Sequence, residues 1–551
     1  MSKQIIEFGP ESRKKLVAGI NKLADAVIST LGPNGRNAIF MKNGETISTK
    51  DGVSVAKAIG NLPDPIENLG AQLIKQASTK TGDNAGDGTT TSTLLAKEMV
   101  NIGLKELREG VNAVEIKRGM DKAVKEVITH IQKHISEDIS SEDQLKQVAT
   151  ISANNDVEIG ELISTAIEKV GKDGVVHIEE SKSGETYLES VEGMQFDRGY
   201  KSPYFVTNNN DMTCVLDNPF ILIADHKFTT VKELLPILDG VSTQNRSLLI
   251  IAEDIDNEAL ATLVVNKARG ILSVCAVKAP DFGDRRKLVL SDIAALTGGQ
   301  VFDSSKGMKM DKFNWEWFGE CRKATITKDQ TTLIDGKGNE EDINSRVEEL
   351  QSQIEKSSSA FEKEQIQTRL AKMVGGVSII HVGGMNETEM KEKKDRVDDA
   401  LHATKAALEE GIVSGGGVAL LFARQAITEN KKESESFRIG KRIIFKACSA
   451  PFYKILMNAG YTKDEIYSID HEIGDKGEIG TKPYFGFDIK SESIKNMIEE
   501  GIIDPTKVCR VALENASSVA GIVLLTESII VDDPDSKEEN NLNPGMMGGM
   551  Y

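Results

Sequence analysis

The chain is 551 residues long and carries a formal net charge of -18, with 85 acidic against 67 basic side chains. That length exceeds what one ordinary core holds and points to about two to four domains, while the acid excess disfavours a nucleic-acid backbone as partner over most of the surface. The five cysteines, at 214, 275, 321, 448 and 509, are odd in number and far apart with no C-x-x-C pair, a usage that fits a reducing cytosol and offers no local zinc or dithiol motif. The N-terminal "MSKQIIEFGPESRKK" lacks the apolar core of a signal peptide, and no apolar run approaches membrane-spanning length, so a soluble, cytoplasmic chain with no membrane partner is expected.

From the N-terminus, "TLGPNGR" at 30–36 and "KDGVSVA" at 50–56 place glycines where backbone N–H groups can be approached closely. A third segment, "AGDGTTTSTLLAKE" at 85–98, passes through Gly86, Asp87, Gly88 and the hydroxyls of Thr89, Thr90 and Thr91. It then enters a run whose apolar positions Leu95, Met99 and Ile102 have helical spacing. One Asp or Thr is enough to cap a helix, and this stretch offers four candidates. The alternative is a phosphate cradle, with free N–H groups at the helix start and a carboxylate placed for Mg2+. Both readings stand on the local pattern. "HIQKH" at 130–134 sets two histidines at i and i+4 without the glutamate of H-E-x-x-H, so it reads as a solvated helix face.

Between 220 and 303 the runs "FILIA", "SLLIIA", "LSVCAVKA" and "QVF" alternate with helical stretches, which predicts a mostly parallel sheet with covering helices. No G-x-G-x-x-G follows the first strand, which removes a dinucleotide-binding domain. In "VKELLPILDGV" the apolar residues span an arc of roughly 160°, and in "EALATLVVNKAR" roughly 200°, against a core-facing stripe of about 100° or more. The excess is either buried against further elements or left open as a groove for an extended or non-native chain. Ile343, Val347, Leu350 and Ile354, an "SSS" break at 357–359, then Leu370 and Met373, predict a helical hairpin over 341–373. Glycine doublets at 375–376 and 383–384 flank the strand-like "VSIIHV" as turns or as hinges. Asp398 and Asp399 in "RVDDALHAT" read by themselves as an acidic helix start. "VSGGGVALL" at 413–421 adds another glycine-rich turn; if these turns converge, the two chain ends build one nucleotide domain and the centre is an insertion.

Taken together, "AGDGTTTSTLLA", "VEGMQFDRGYKSPYF", "KAPDFGDRRK", "EEGIVSGGGVALL" and "GIIDPTKV" resemble the group I chaperonins, in register from about residue 3 to 531, and "NPGMMGGMY" resembles a shortened Gly-Gly-Met tail. The resemblance implies a multidomain α and α/β architecture. A mostly helical equatorial ATPase domain would cover 1–134 and 411–551, a small α/β intermediate (hinge) domain 135–192 and 377–410, and an inserted α/β apical domain 193–376, with 532–551 as a flexible tail. It also implies an ATPase that captures non-native polypeptides and folds them in a homo-oligomeric ring of seven subunits, single or double, capped by a co-chaperonin lid.

Residue by residue, the resemblance assigns Mg2+ to Asp87, with K+ as a further cation, and the phosphates of ATP to Gly88, Thr89, Thr90 and Thr91. Thr30, Leu31, Gly32 and Pro33 would close over the nucleotide, Lys50 and Asp51 lie beside the phosphates, Gly416 approach the nucleotide and Asp504 meet the ribose. Asp399 would orient the attacking water, with Asp51 as the second catalytic carboxylate. Tyr200, Tyr204, Phe205, Leu235, Leu238, Leu260, Val264 and Val265 would bind clients and the lid, and Arg198 and Glu387 would pair between neighbouring subunits. The chain departs from the family at Asp488, Ile489 and Lys490, where a small polar, alanine-rich run is usual beside the adenine. It also departs at the expected ring-to-ring contact, where Tyr453 and Thr462 replace a basic and an acidic residue and Glu109 a small one. Two other readings remain: a client-binding assembly with weak or absent ATPase, and a phosphotransferase of monomers or dimers using the same glycine loops.

Overall fold

A computed structural model describes residues 4–533, except 43–44, 154, 172–173, 182, 210, 358 and 477–483. The tail expected at 532–551 lies outside the described residues from 534 onward. The two chain ends, Met1–Ser164 and Asp395–Tyr551, cluster as one unit, and Thr165–Lys394 forms a second.

The first unit is a bundle of long helices whose crossings are set by paired glycines. A Cβ on Gly19 would lie 1.7 Å from the carbonyl oxygen of Glu67, and one on Gly70 would lie 1.9 Å from that of Leu16, so helices Gly9–Ile28 and Pro65–Ala85 touch backbone to backbone. Helices Ala113–His130 and Glu435–Ala447 repeat the device through Gly119 and Gly440, 2.0 Å and 2.1 Å from the carbonyls of Phe437 and Ile116. No larger residue fits at such distances. The strand Gln4–Phe8 pairs antiparallel with Ser528–Asp532, joining the two ends of the chain.

Helix Thr506–Leu525 corrects one sequence expectation. An 18-residue window of this 20-residue helix has a mean hydropathy of 1.5, long and apolar enough to cross a membrane, yet 67% of that window is buried inside the protein. Val508, Ala512, Leu513, Ala516, Val523 and Leu524 are among its buried residues, and packing against several other helices of the bundle is what makes it so apolar.

In the second unit, strands Phe220–Phe228, Leu248–Ile255 and Val274–Lys278 pair parallel in the predicted order, and Phe302–Asp303 joins the free edge of the first. Antiparallel strands Gly319–Ile326, Thr331–Gly336 and Gly193–Phe196 extend the sheet. The predicted hairpin is present as helices Glu340–Lys356 and Ala360–Val374. "VSIIHV" is the middle strand of a three-stranded sheet, parallel to Val175–Glu180 and antiparallel to Tyr187–Val191. The wide apolar arc of helix Val231–Thr243 is mostly core: Leu234, Ile237, Leu238 and Val241 are buried.

Candidate functional site

The helix Thr89–Glu106 opens without a side-chain cap. Its N-cap is Gly88 at φ 80°, and Gly86, closing the preceding helix, stands at φ 74°. Two left-handed residues this close turn the chain so that Asp87 and the first N–H groups of the helix share one loop. The capping reading of this stretch is therefore overturned, since neither Asp87 nor a threonine caps the helix. The Asp87 carboxylate accepts instead from the Gly88 N–H at 2.5 Å and from the Ser152 hydroxyl.

Contacts between chain segments bring the other predicted residues here. Asp51 caps helix Gly52–Ala58, accepting from the N–H groups of Val53 at 3.0 Å and Ser54 at 2.7 Å. A Cβ on Gly52 would lie 2.0 Å from the Thr90 hydroxyl and 3.3 Å from Val27, so the Asp51 turn rests on both the threonines and the end of the first helix. One turn on, Thr30 is buried and donates to the Val27 carbonyl at 2.8 Å, and Asn458 holds the Leu31 carbonyl at 2.9 Å. That fixes the entry to the turn at Gly32 and Pro33, where Gly32 has φ 83°. Lys50 is exposed.

From the other end of the chain, Asp504 pairs with Val413 in the two-stranded ladder Ile412–Ser414 and Ile503–Pro505, beside the glycine turn holding Gly416 at φ 66°. Val508, four residues on, packs against Gly88, where a Cβ would come within 2.6 Å. Helix Glu387–Glu410 brings Asp399, and His402 on the same helix sits so close to Gly86 that a Cβ there would lie 1.9 Å from the His402 Cβ. Ser152 and His402 carried no local signal; both are single polar residues in otherwise ordinary helices.

Asp87, Asp399 and Asp504, distant in sequence, thus each sit near another aspartate's charge. Burial and then the charges of Asp51, Asp87, Asp398 and Asp395 push Asp399 up to about 9. Asp504 rises to about 7, through burial and the charge of Asp87. Asp87 itself is raised by burial first and then by Asp51, against the two hydrogen bonds it accepts. Such a cluster is suited to bound positive charge, which removes the repulsion that raises it. Among the described residues, no three His, Cys, Asp or Glu side chains stand close enough to hold a metal ion by themselves. A cation here would take its remaining oxygens from a ligand, as Mg2+ does beside nucleotide phosphates.

The TCP-1/cpn60 chaperonin family matches residues 23–534. The chain belongs to this family. Its fold is similar to that of the chaperonin gp146 from the bacteriophage EL 2 (Pseudomonas aeruginosa), whose crystal structure was obtained in the presence of ATP-BeFx. The TM-score is 0.69 at 21% identity, over 96% of this chain and 99% of that one.

In this chaperonin the residues expected to meet clients divide by exposure. Tyr204, at 73%, and Leu235 and Val265, at 44% each, are open to solvent, while Tyr200, Leu260 and Val264 are half-buried against the core. Phe205, at 0%, and Leu238, at 5%, belong to that core and are corrected out of the exposed surface. Leu238 falls on the inward side of helix Val231–Thr243, which an arc drawn from one helix does not reveal, and Phe205, expected from the resemblance alone, closes the short turn Pro203–Phe205 against the same core.

The departures from the family have jobs inside the chain. Asp488 closes the turn after strand Phe485–Asp488 by accepting from the N–H groups of Lys490 at 3.0 Å and Ser491 at 3.2 Å and from the Ser491 hydroxyl at 2.6 Å. Tyr453 donates its hydroxyl to Asp470 at 2.9 Å. Thr462 and Glu465 form a reciprocal capping box: the Thr462 N–H and hydroxyl each reach Glu465 at 2.7 Å, and the Glu465 N–H returns to Thr462 at 3.4 Å. The T-x-x-E spacing was legible in "TKDE" and missed.

Proposed function

We propose that the protein is an ATP-dependent chaperonin that captures non-native polypeptides on its apical helices and promotes their folding in a ring-shaped chamber. The observation that carries this reading is the uncapped start of helix 89–106 beside three buried aspartates, Asp87, Asp399 and Asp504, with raised affinity for protons. Free N–H groups, the hydroxyls of Thr89, Thr90 and Thr91 and the exposed Lys50 would receive phosphate oxygens, and Asp87 would hold Mg2+, with K+ a further cation at the same carboxylates. Bound there, Mg2+ would supply charge compensation between Asp87 and the phosphates. Asp504 would face the ribose, and the turn 30–33 and Gly416 would border the nucleotide.

Asp399 gives the mechanism a switch. With a proton affinity near pH 9 the carboxyl is neutral at physiological pH, and a neutral acid cannot accept a proton from water. Positive charge held at Asp87 would offset the repulsion from Asp51 and Asp87 and act against the burial that keeps the proton on Asp399, whose carboxylate would then orient and deprotonate the attacking water. Hydrolysis would then depend on correct loading. Tyr204, Leu235, Leu260, Val264 and Val265, with Tyr200, supply apolar surface for clients and for a co-chaperonin lid, in a cytoplasmic homo-oligomeric ring of seven subunits. Asp399→Ala should leave nucleotide binding largely intact while slowing phosphate release severely, and Asp87→Ala should weaken Mg-ATP binding itself. Equal loss of binding in both would reject the assignment, and no steady-state phosphate release from the parent would favour a client-binding assembly without ATPase.

A further inference from the structure

The second unit carries an open cavity of about 580 Å3 between helices Gly283–Thr297 and Ala360–Val374 and strand Gly193–Phe196. That size falls within the range of small-ligand sites. Its base is rigid: Asp292 is fully buried and accepts from Arg346 Nε at 2.8 Å and from Arg369 Nε and Nη2 at 2.7 and 2.8 Å. This clamp ties both helices of the hairpin to helix 283–297, so the walls are preformed.

A void left by imperfect packing is apolar on all sides. This one carries polar groups with unused capacity. Arg285 lies over the Phe361 ring at 5.1 Å and forms no ion pair or hydrogen bond with any described residue. Arg198 lies over the Phe282 ring at 5.6 Å and donates from Nη1 to the Asp197 carbonyl at 3.3 Å. The acids along the wall are better satisfied: Asp292 by its two arginines, Asp197 by Lys372 at 3.9 Å and Gln330 at 3.5 Å, Glu362 by the Ser357 hydroxyl at 2.8 Å. Asp281 alone remains, exposed at the mouth. Leu288, Val289 and Ile366 form the apolar side.

We infer that this cavity binds a small amphipathic carboxylate, its apolar body against Leu288, Val289 and Ile366 and its carboxylate on Arg285. A guanidinium stacked on an aromatic ring is oriented in advance and matches the planar, two-oxygen acceptor of a carboxylate. The inference does not depend on nucleotide hydrolysis, which uses the other unit.

The test is titration of the full-length protein with decanoate by calorimetry, with decylamine as a probe of the same body and opposite charge. Saturable decanoate binding is expected, weakened about tenfold or more by Arg285→Ala, as the loss of a charge-assisted hydrogen bond implies. Leu288→Trp, which fills the cavity from a partly exposed position, should abolish it, whereas Leu235→Ser should leave it unchanged, and phosphate release from ATP should be the same in Arg285→Ala as in the parent. No saturable binding, equal affinity in Arg285→Ala, loss in Leu235→Ser, or equal binding of decylamine would each overturn the inference.

Discussion

Binding of Mg-nucleotide should expel a proton from Asp399, and the amount follows from the site. At pH 8 a carboxyl with a pKa of about 9 is ~90% protonated, whereas Asp504 at about 7 is only ~10% protonated, so the two together hold about one proton, nearly all of it on Asp399. Positive charge at Asp87 drives both to the carboxylate form, releasing about one proton per subunit. The sign follows from the raised pKa: the folded, nucleotide-free chain keeps a proton that the unfolded chain loses near the ordinary value of 3.8. That contribution to stability is full below that value and is lost as pH rises toward about 9. The assay is calorimetry of a non-hydrolysable ATP analogue with Mg2+ at pH 8 in two buffers of different ionisation enthalpy, the difference in apparent enthalpy counting protons. Asp399→Asn should lower the count to ~0.1 while retaining binding. Equal proton release from parent and variant, or none from the parent, would refute the reasoning, because it would mean that Asp399 has the same protonation state in the empty and the loaded site.

The apical surface predicts that Leu235→Ser, Leu260→Ser or Val264→Ser abolishes capture of a denatured protein with the ATPase retained; a variant that captures as well as the parent would remove that residue from the surface. Phe205→Ala, by contrast, should act as a core deletion costing about 3–5 kcal/mol, read as a fall in thermal stability rather than as selective loss of capture. Gly86→Ala combines a left-handed backbone with a 1.9 Å approach to His402, so it should displace the Asp87 loop and weaken Mg-nucleotide binding, measured by the same calorimetry. Ring pairing is expected to be weak, because Tyr453 and Thr462 commit polar atoms to Asp470 and Glu465 within the chain. Native mass measurement over a dilution series, with and without ATP, should reveal single rings, and double rings throughout would defeat the idea.

Local pattern carried much of this protein. The β-α alternation over 220–303, the hairpin over 341–373 and the helix entered through "DGTTT" were all legible, because burial of one face imposes a period of two or near 3.6 on the residues that form it. The run of motifs from "AGDGTTTSTLLA" to "GIIDPTKV" was likewise enough to point to the chaperonin family. Tertiary structure decided what those segments do to one another. Whether Asp87 caps a helix or faces a ligand depends on the φ of Gly86 and Gly88 and on Ser152, which lies 65 positions along the chain. The weakened acidity of Asp399 arises from burial first and then from Asp51 and Asp87, which only folding brings about, and read alone it was an ordinary helix start. Leu238 looked available because an apolar arc shows how much surface a helix must cover and not which neighbour covers it, and Phe205, expected from the resemblance alone, is covered by the same core. Desolvation and Coulomb repulsion act through space, so their strength at these residues follows from the packing of distant segments rather than from the order of amino acids along any one of them.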